Sequence, residues 1–227
     1  MPDGTTIAWF HCFSGVSGTA AIGSLVDVGA DLDEVRALCD RLPLQGWEMD
    51  AEPVMRAGLA AVRIHIRLEA TTVVRTAAHM GAMIDEARLP DRVRSRALAA
   101  LSALAAADAA VHRRHADQAT LHDVLGMEAL LEIVGTCSAL EVLDVAEVAA
   151  SAVAHGRGMV RRPGGVLHPI PSPATVELLR DAPTHGLDVP TELTTPVGAA
   201  LLSTMVGTWG PMPALRVRAS GFGAGLS

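Results

Sequence analysis

The sequence predicts an α+β or α/β fold in which helices pack on a small mixed sheet. Half of the 227 residues are hydrophobic, so the chain is able to bury a core. Short apolar runs typical of strands alternate with longer segments of helical periodicity. The sequence contains neither an internal repeat nor a long linker, which predicts one domain over residues 1–227. If that domain has two lobes, they meet near the Pro/Gly loop at 162–173.

Periodicity and capping residues place the elements in the first half of the chain. A period-two alternation around Gly58 predicts a β-hairpin, and Asp31 or Asp33 supplies the N-cap of a helix. Pro90 precedes a long stretch of helical periodicity, as proline often does at the start of a helix. The predicted elements are a strand over 6–13, a helix to 28, a helix over 31–42, a hairpin over 47–68, and helices over 72–87 and 91–114.

The same signals predict the elements in the second half. Residues 193–215 carry no charge, but Pro196, Pro211 and Pro213 interrupt them. A membrane span needs about 20 apolar residues in a row, so we expect a buried helix here and no membrane partner. The predicted elements are a helix over 125–143, a strand-like segment from 145, helices over 174–181 and 195–208, and a closing strand over 215–219.

The composition excludes several classes of function. There is no Lys, so the protein forms no Schiff base through an amine of its own and has no P-loop lysine. A net charge of −7 argues against a nucleic-acid partner, which requires a basic face. Three widely spaced cysteines and the lack of a basic signal-peptide region predict a reducing cytoplasm. The high apolar content favours a homodimer.

A strand, a Gly-x-x-Gly turn and a helix follow one another near the start of the chain. Gly15 and Gly18 permit close approach to the backbone, and the N–H groups that begin a helix attract anions. We expect the two glycines, with Ser14, Ser17 and Thr19, to hold a carboxylate or phosphate of a small molecule. The alternative is a tight turn without a ligand, because the third glycine of a dinucleotide-binding fingerprint is missing.

Acidic and imidazole side chains share the apolar face at the end of the long helix. At about 100° per residue, Asp108, His112 and His115 fall on the same side as the leucines. Such groups need partners when they are buried. They fit a metal site, an acid–base pair, or histidines stabilised by the C-terminal end of the helix dipole.

A second group of acids and histidines follows. His122 and Asp123 come shortly before Glu128 and Glu132, which are four residues apart and therefore share one helix face. This pattern resembles a carboxylate–imidazole site, and two solvated surface glutamates are the alternative. His168 lies in a rigid Pro-rich loop, from which it is able to project into a cleft to contact substrate.

The order of these motifs resembles the N-terminal region of the LarC family, the nickel-insertion proteins of nickel-pincer cofactor synthesis. The resemblance covers nearly the whole chain. The segments that carry it are Cys12-Phe13-Ser14-Gly15-Val16-Ser17-Gly18, 108–112, 122–124 with 133–135, 169–175 with 177–179, 192–202, 210–213 and 221–225.

The resemblance implies the fold, and for the family it implies nickel insertion. A metal site would then consist of Asp108, His112, His122 and Asp123, with CTP used by a separate partner chain. The chain departs from the family where acids and histidines are usual. The family has Asp at the positions of His11 and Thr19, and His at that of Thr120.

These departures favour other chemistry on the same scaffold. The main expectation is a metal-independent enzyme without a cofactor that acts on a small organic molecule by acid–base catalysis, such as a Pictet–Spengler-type iminium cyclisation in secondary metabolism. The alternatives are nickel insertion and a non-catalytic subunit. Under the main expectation, that of acid–base catalysis, the catalytic residues are Glu128, Asp123, His122 and Glu132.

Overall fold

The protein has an α+β fold, as the sequence predicts. The structure is a computed structural model and describes residues 4–69, 75–113, 115, 126–161 and 166–225. The helices in these ranges are α1 (Gly18–Val28), α2 (Leu32–Cys39), α3 (Ala77–Glu86), α4 (Asp91–His112), α5 (Met127–Val142), α6 (Pro173–Leu178) and α7 (Pro196–Met205). The strands are β1 (Ile7–Phe10), β2 (Trp47–Arg56), β3 (Leu59–Leu68), β4 (Glu147–Ala150), β5 (Val153–His155), β6 (Gly158–Arg161), β7 (Leu167–Ile170), β8 (Thr184–Gly186), β9 (Val206–Trp209) and β10 (Gly223–Ala224).

A parallel sheet of three strands brings the two halves of the chain together. Strand β4 lies at the centre, with β1 on one side and β9 on the other. The register pairs Phe10 with Ala150 and Ala150 with Trp209, so the three strands end at the same level. The loops that follow these strands therefore share one edge of the sheet.

The predicted hairpin forms a second sheet. Strands β2 and β3 pair antiparallel along their full length, and β10 adds to β3 in parallel. Ala57 and Gly58 form the turn with positive φ values, which favour glycine. Near this turn Met55 and Leu59 are exposed, so the far end of the hairpin is only lightly packed against the body.

Helix α5 is the centre of the core. Nearly all its residues from Met127 to Leu140 are buried, as expected of a helix that is apolar on all sides. It packs against α1, α2, α4 and α7. Within this buried stretch, the acidic Glu128 and Glu132 are the residues that reach towards the surface.

Helices α4 and α5 pack against each other. At one end Arg92 of α4 forms ion pairs with Glu141 and Asp144, 2.8 and 2.7 Å apart, beside the C-terminal end of α5. This contact places the N-terminal end of α4 beside the C-terminal end of α5.

The capping residues chosen from the sequence are largely confirmed. Asp31 caps α2 and accepts hydrogen bonds from the backbone N–H groups of Asp33 and Glu34. Pro90 immediately precedes α4, which ends at His112. Helix α3 begins at Ala77, later than the predicted 72, and residues 70–74 lie outside the described ranges.

Two predictions near the C-terminus are wrong. Residues 215–219 form no strand, because they pair with no described strand; the segments that join β4 and β3 are β9 and β10 instead. The helix predicted to reach 208 ends at Met205, where the chain turns into β9. The uncharged segment contains the buried helix α7, and none of the helices in the described ranges combines the length and apolar character that a membrane span needs.

Candidate functional site

The turn between β1 and α1 contacts the backbone of Leu193 and Thr194, which lie just before α7. Gly15 has a φ of +88°, and its N–H donates to the carbonyl of Cys12 over 3.1 Å. A Cβ at Gly15 would lie 2.7 Å from the Cβ of Leu193. The neighbouring Val16 forms a parallel bridge with Thr194. Gly15 is therefore required because Leu193 lies too close to its Cα to leave room for a side chain.

Gly18 makes room for an acidic side chain. A Cβ at Gly18 would lie 2.6 Å from the Cβ and 3.0 Å from the Cδ of Glu132. The Gly18 N–H donates to the Glu132 carboxylate, which therefore lies at the N-terminal end of α1. The Thr136 hydroxyl donates to the backbone carbonyl of Glu132 over 2.8 Å and also lies 3.5 Å from the carbonyl of Gly18, so it joins α5 to the same turn. The structure thus brings together two of the sequence-predicted groups.

The half-buried position of Glu132 gives it an unusual protonation equilibrium. Loss of hydration and, to a smaller extent, the negative charge of Glu128 one turn away raise the pKa of this carboxyl to about 7. The hydrogen bond from Gly18 acts in the opposite direction. Glu128 itself is exposed in the first turn of α5. A carboxyl that titrates near neutral pH is suited to accept and return a proton.

The other residues of the predicted anion site serve the turn itself. The hydroxyl of Ser17 caps α1 and accepts a hydrogen bond from the Ala20 N–H over 3.1 Å. It also lies 3.2 Å from the hydroxyl of Thr19, which is buried, whereas Ser14 is exposed. The amides of Gly18 and Ala20 thus already have acceptors within the chain. An anion role for this turn stays a prediction.

Asp108 and His112 form a close pair on α4. Asp108 is 1% exposed, and the His112 Nδ1 lies 3.1 Å from its Oδ1 and 2.9 Å from its carbonyl oxygen. His115 also belongs to the described residues and is exposed.

Two predicted groups are not placed with the others. His122 and Asp123 lie outside the described residues. His168 is in β7, where it pairs with Val160 of β6 and no described contact joins it to Glu132 or His112. Among residues 4–69, 75–113, 115, 126–161 and 166–225, no three His, Cys, Asp or Glu side chains are grouped so that they could hold a metal ion.

Sequence reasoning missed an open pocket at the edge where the parallel strands end. It has a volume of about 420 Å³, and its walls include Trp9, His11, Ser151, Gly210 and Met212. Trp9 and His11 are stacked, with ring centroids 5.0 Å apart and an angle of 25° between the planes. The signal in the sequence was the alternation of Trp9, His11 and Phe13 at the end of a strand.

Cys12 faces away from this pocket into the core. It is buried, and loss of hydration raises the pKa of its thiol to about 12. Its backbone N–H donates to the hydroxyl of Ser151 over 2.9 Å. The thiol is therefore neutral near pH 7, and Cys12 acts as a small core residue rather than as a nucleophile.

Comparison with known proteins identifies the family. The family model described as "Nickel insertion protein" matches residues 8–227. A putative nickel insertion protein of Synechococcus elongatus is 38% identical over 97% of this chain and 56% of its own length. A pyridinium-3,5-bisthiocarboxylic acid mononucleotide nickel insertion protein of Staphylococcus saprophyticus is 35% identical over 96% of this chain and 55% of its own length. No solved structure matches.

These matches correct two expectations. Relatives that are 31–38% identical over nearly the whole chain are named for nickel insertion, so the expectation of a metal-independent cyclase is wrong. The expectation of no cofactor is wrong for the same reason, because nickel is the metal that these relatives handle. The chain spans about half the length of the curated relatives it matches. Since the family model extends over residues 8–227, this chain belongs to the nickel insertion protein family.

Proposed function

We propose that this chain acts in nickel insertion into a pyridinium-3,5-bisthiocarboxylic acid mononucleotide, the molecule for which several relatives are named. The observation that carries the proposal is the match of the family model to residues 8–227. Nickel and the mononucleotide are both substrates in this reaction. The chain therefore needs a group that binds the metal, a group that accepts and releases protons, and a surface that binds the organic molecule.

The pair formed by Asp108 and His112 supports a nickel-binding role. A histidine that binds a metal through one ring nitrogen usually directs the other to a carboxylate or a carbonyl. The Nδ1 of His112 makes this contact with Asp108, so Nε2 is the proposed nickel ligand. Imidazole is a ligand that suits nickel. In this proposal Asp108 is a positioning residue for His112 and does not bind the metal itself.

The start of α5 supplies the other proposed ligands. Glu128 is exposed in the first turn of α5. We infer from the contact of Arg92 with Glu141 that α4 and α5 are antiparallel, which would bring this turn to the end of α4 that carries His112. His122 and Asp123 precede this turn by a few residues in the sequence. Carboxylate and imidazole together form a ligand set for a divalent metal. We assign Glu128, His122 and Asp123 to the nickel site beside His112.

Glu132 is the proposed proton acceptor of the site. Metal binding releases protons, because a ligand must be deprotonated before it binds. The pKa of about 7 leaves the Glu132 carboxyl divided between its two forms at neutral pH. When nickel displaces a proton from an imidazolium or carboxyl ligand, the Glu132 carboxylate takes up that proton. Glu132 returns it to water after the metal has left.

Calorimetric titration of the metal-free chain with nickel at pH 7.5 tests this site. The wild type is expected to bind nickel stoichiometrically, and His112→Ala and Asp108→Asn to bind it about ten- to a hundredfold more weakly. His65→Ala is the matched control, because His65 also contacts a carboxylate, that of Glu52 at 2.8 Å, but on the exposed hairpin. A wild type that binds no nickel at micromolar concentrations overturns the proposal, as does a His112→Ala variant that binds like the wild type.

We also propose a reducing, cytoplasmic location and a homodimer. Cys12, Cys39 and Cys137 are free and buried, the state that a reducing compartment preserves. Met55 and Leu59 expose apolar surface near the hairpin turn, which is typical of a contact between two copies. Analytical ultracentrifugation is expected to give a dimer for the wild type and a monomer for Met55→Ser with Leu59→Ser. A monomeric wild type contradicts the dimer.

A further inference from the structure

A surface strap, residues 211–222, connects β9 to β10 and contains neither helix nor strand. Its two ends are fixed to β1 and α1, the elements on either side of the Gly-x-x-Gly turn. Just before the strap, the carbonyl of Gly210 accepts a hydrogen bond from the Nε1 of Trp9 over 3.4 Å. At its other end, the Phe222 N–H donates to the carboxylate of Asp27 over 2.8 Å. The strap therefore runs from the end of β1 to the side of α1.

Close packing brings the end of the strap to the first turn of α1. A Cβ at Gly223 would lie 2.7 Å from the carbonyl carbon of Ala20, so the two backbones are in direct contact. Ala20 comes two residues after Gly18, whose N–H donates to the carboxylate of Glu132. The strap thus ends beside the turn of α1 that carries the proposed proton acceptor.

Two arginines of the strap are exposed and have no protein partner. Neither Arg216 nor Arg218 forms an ion pair or a hydrogen bond with the residues that the structure describes. Arg67, in contrast, is exposed but lies 3.2 Å from carboxylate oxygens of both Glu48 and Asp50. The Cα atoms of alternate residues are at most about 7 Å apart, so the two guanidinium groups of the strap are able to converge on one ligand.

The composition makes arginine the main source of positive charge for binding an anion. The chain has no Lys, and its net charge of −7 repels anions from the molecule as a whole. A guanidinium group stays charged at neutral pH and binds phosphate oxygens through two parallel N–H groups. Two guanidinium groups that lack acidic partners and lie two residues apart therefore suit a phosphate.

We propose that Arg216 and Arg218 bind the phosphate of the mononucleotide. The inference rests on the proposed function for the identity of the substrate, and on the strap for the place where its phosphate is held. Sulfur and carboxylate oxygen atoms are metal ligands, so the two thiocarboxylic acid groups are expected to face the nickel. The phosphate is the anionic group that remains for the arginines. Arg216 and Arg218 are therefore binding residues for the organic substrate and do not bind the metal.

Calorimetry on the metal-free full chain tests the phosphate site with two commercially available probes. Nicotinic acid mononucleotide carries a phosphate and a ring carboxylate, and nicotinic acid riboside lacks only the phosphate. At about 50 mM salt the mononucleotide is expected to bind about ten- to a hundredfold more tightly. This preference should shrink at about 300 mM salt, because salt screens exposed charges. Equal binding of the two probes by the wild type overturns the inference.

Variants then locate the phosphate. Arg216→Gln and Arg218→Gln are each expected to weaken binding of the mononucleotide about three- to tenfold, and together to remove the preference for it. Arg216→Lys with Arg218→Lys keeps the charge without the planar fork, so it should keep part of the preference. Both side chains are exposed, so these variants are expected to fold.

Arg88→Gln is the matched control for net charge. Arg88 is also exposed and its side chain has no acidic partner in the described ranges, but it lies in the turn between α3 and α4. This variant should bind the mononucleotide like the wild type. An Arg88→Gln variant that binds as weakly as Arg216→Gln overturns the inference, and so does a double Gln variant that keeps the full preference.

The two proposals fail in different ways. Nickel titration reports on His112, and the probe titration reports on the strap. If the two probes bind equally while His112→Ala still weakens nickel binding, the phosphate site is wrong and the nickel site stands. If the strap variants lose the preference for the mononucleotide while the wild type binds no nickel, the proposed function is wrong and the phosphate site stands.

Discussion

The turn between β1 and α1 has a closed face and an open face. On the closed face, Cys12 is buried, Gly15 touches the backbone of Leu193 and Gly18 lies against Glu132. On the open face, His11 is exposed and stacks on Trp9, and the pocket lies beside them. Both faces are built from residues of the same short segment, 9–18. The glycines belong to the closed face, and the aromatic rings belong to the open one.

This difference teaches how to interpret a glycine pair after a strand. A glycine is needed wherever another group approaches the backbone closely, whether that group is a ligand or part of the protein. Here the group at Gly18 is the carboxylate of Glu132, which occupies the place that an external anion would take. The ligand-sized space is instead on the opposite face, where the residues are large and aromatic.

Gly15→Ala is expected to give the largest loss of stability on the closed face. The new Cβ would lie 2.7 Å from the Cβ of Leu193 and would force a positive φ of 88° on alanine. Overpacking and backbone strain together predict a loss of about 4 kcal/mol in the free energy of unfolding by urea. Gly58→Ala is the matched control, because its φ is +81° and nothing lies within 4 Å of its Cβ.

The control variant should therefore show the cost of the backbone conformation alone, about 1 kcal/mol. If both variants lose the same stability, Gly15 is required only by its φ and the close contact with Leu193 contributes nothing. That outcome would remove the main evidence for a closed face.

Gly18→Ala is expected to cost about 3 kcal/mol of unfolding free energy, because its Cβ would lie 2.6 Å from that of Glu132. The effect should depend on the acidic side chain. A double-mutant cycle with Glu132→Gly measures this dependence, because glycine removes the Cβ and the carboxylate together, and the second substitution should recover about half of the loss. Strictly additive losses would show that Gly18 and Glu132 do not compete for the same space.

Glu132→Gln is expected to change the pH dependence of stability. The pKa of this carboxyl is about 7 in the folded protein and 4.5 in its ordinary state, so the folded protein binds the proton more tightly. The stability contributed by this group is therefore complete below about pH 4.5 and is lost as the pH rises through 7. Glutamine does not ionise, so the variant should match the wild type near pH 4.5 and exceed it by about 2 kcal/mol near pH 8.

Urea unfolding at a series of pH values from 4.5 to 8 measures this effect. Glu128→Gln is the useful companion, since it removes the charge that helps to raise the pKa of Glu132. It should shift the loss of stability towards lower pH without abolishing it. If the difference in stability between Glu132→Gln and the wild type does not change between pH 5 and 8, Glu132 is not held in a desolvated place.

Local signals in the sequence were enough to predict most of the fold. Asp31 caps α2, and Gly58 marks the hairpin, because each acts through residues next to it in the chain. The border between α7 and β9 was not predictable from its uniformly apolar segment. There the open edge of β4, far away in the sequence, determines that the chain becomes a strand at Val206.

The candidate site was predictable in its residues but only partly in its arrangement. The four-residue spacing placed Glu128 and Glu132 on one helix face, and the spacing of Asp108 and His112 likewise predicted their contact. The contact between Gly18 and Glu132 was not predictable, because no local signal in the sequence shows that α5 packs against the start of α1. The pocket was not predictable for the same reason. The residues that line it come directly after three strands that are far apart in the sequence.

Phe13→Ala is expected to have the smallest effect on stability, within about 0.5 kcal/mol of the wild type. Phe13 follows Cys12 directly, yet it is 51% exposed and its ring contacts His11 rather than the core. Its removal deletes little buried area and leaves the backbone bonds of the turn in place. Urea unfolding is the measurement, with Gly15→Ala as the reference for a disruptive change in the same turn. A loss above about 2 kcal/mol would mean that Phe13 is packed as core residues are. The aromatic side of the turn would then be a structural face like the other one.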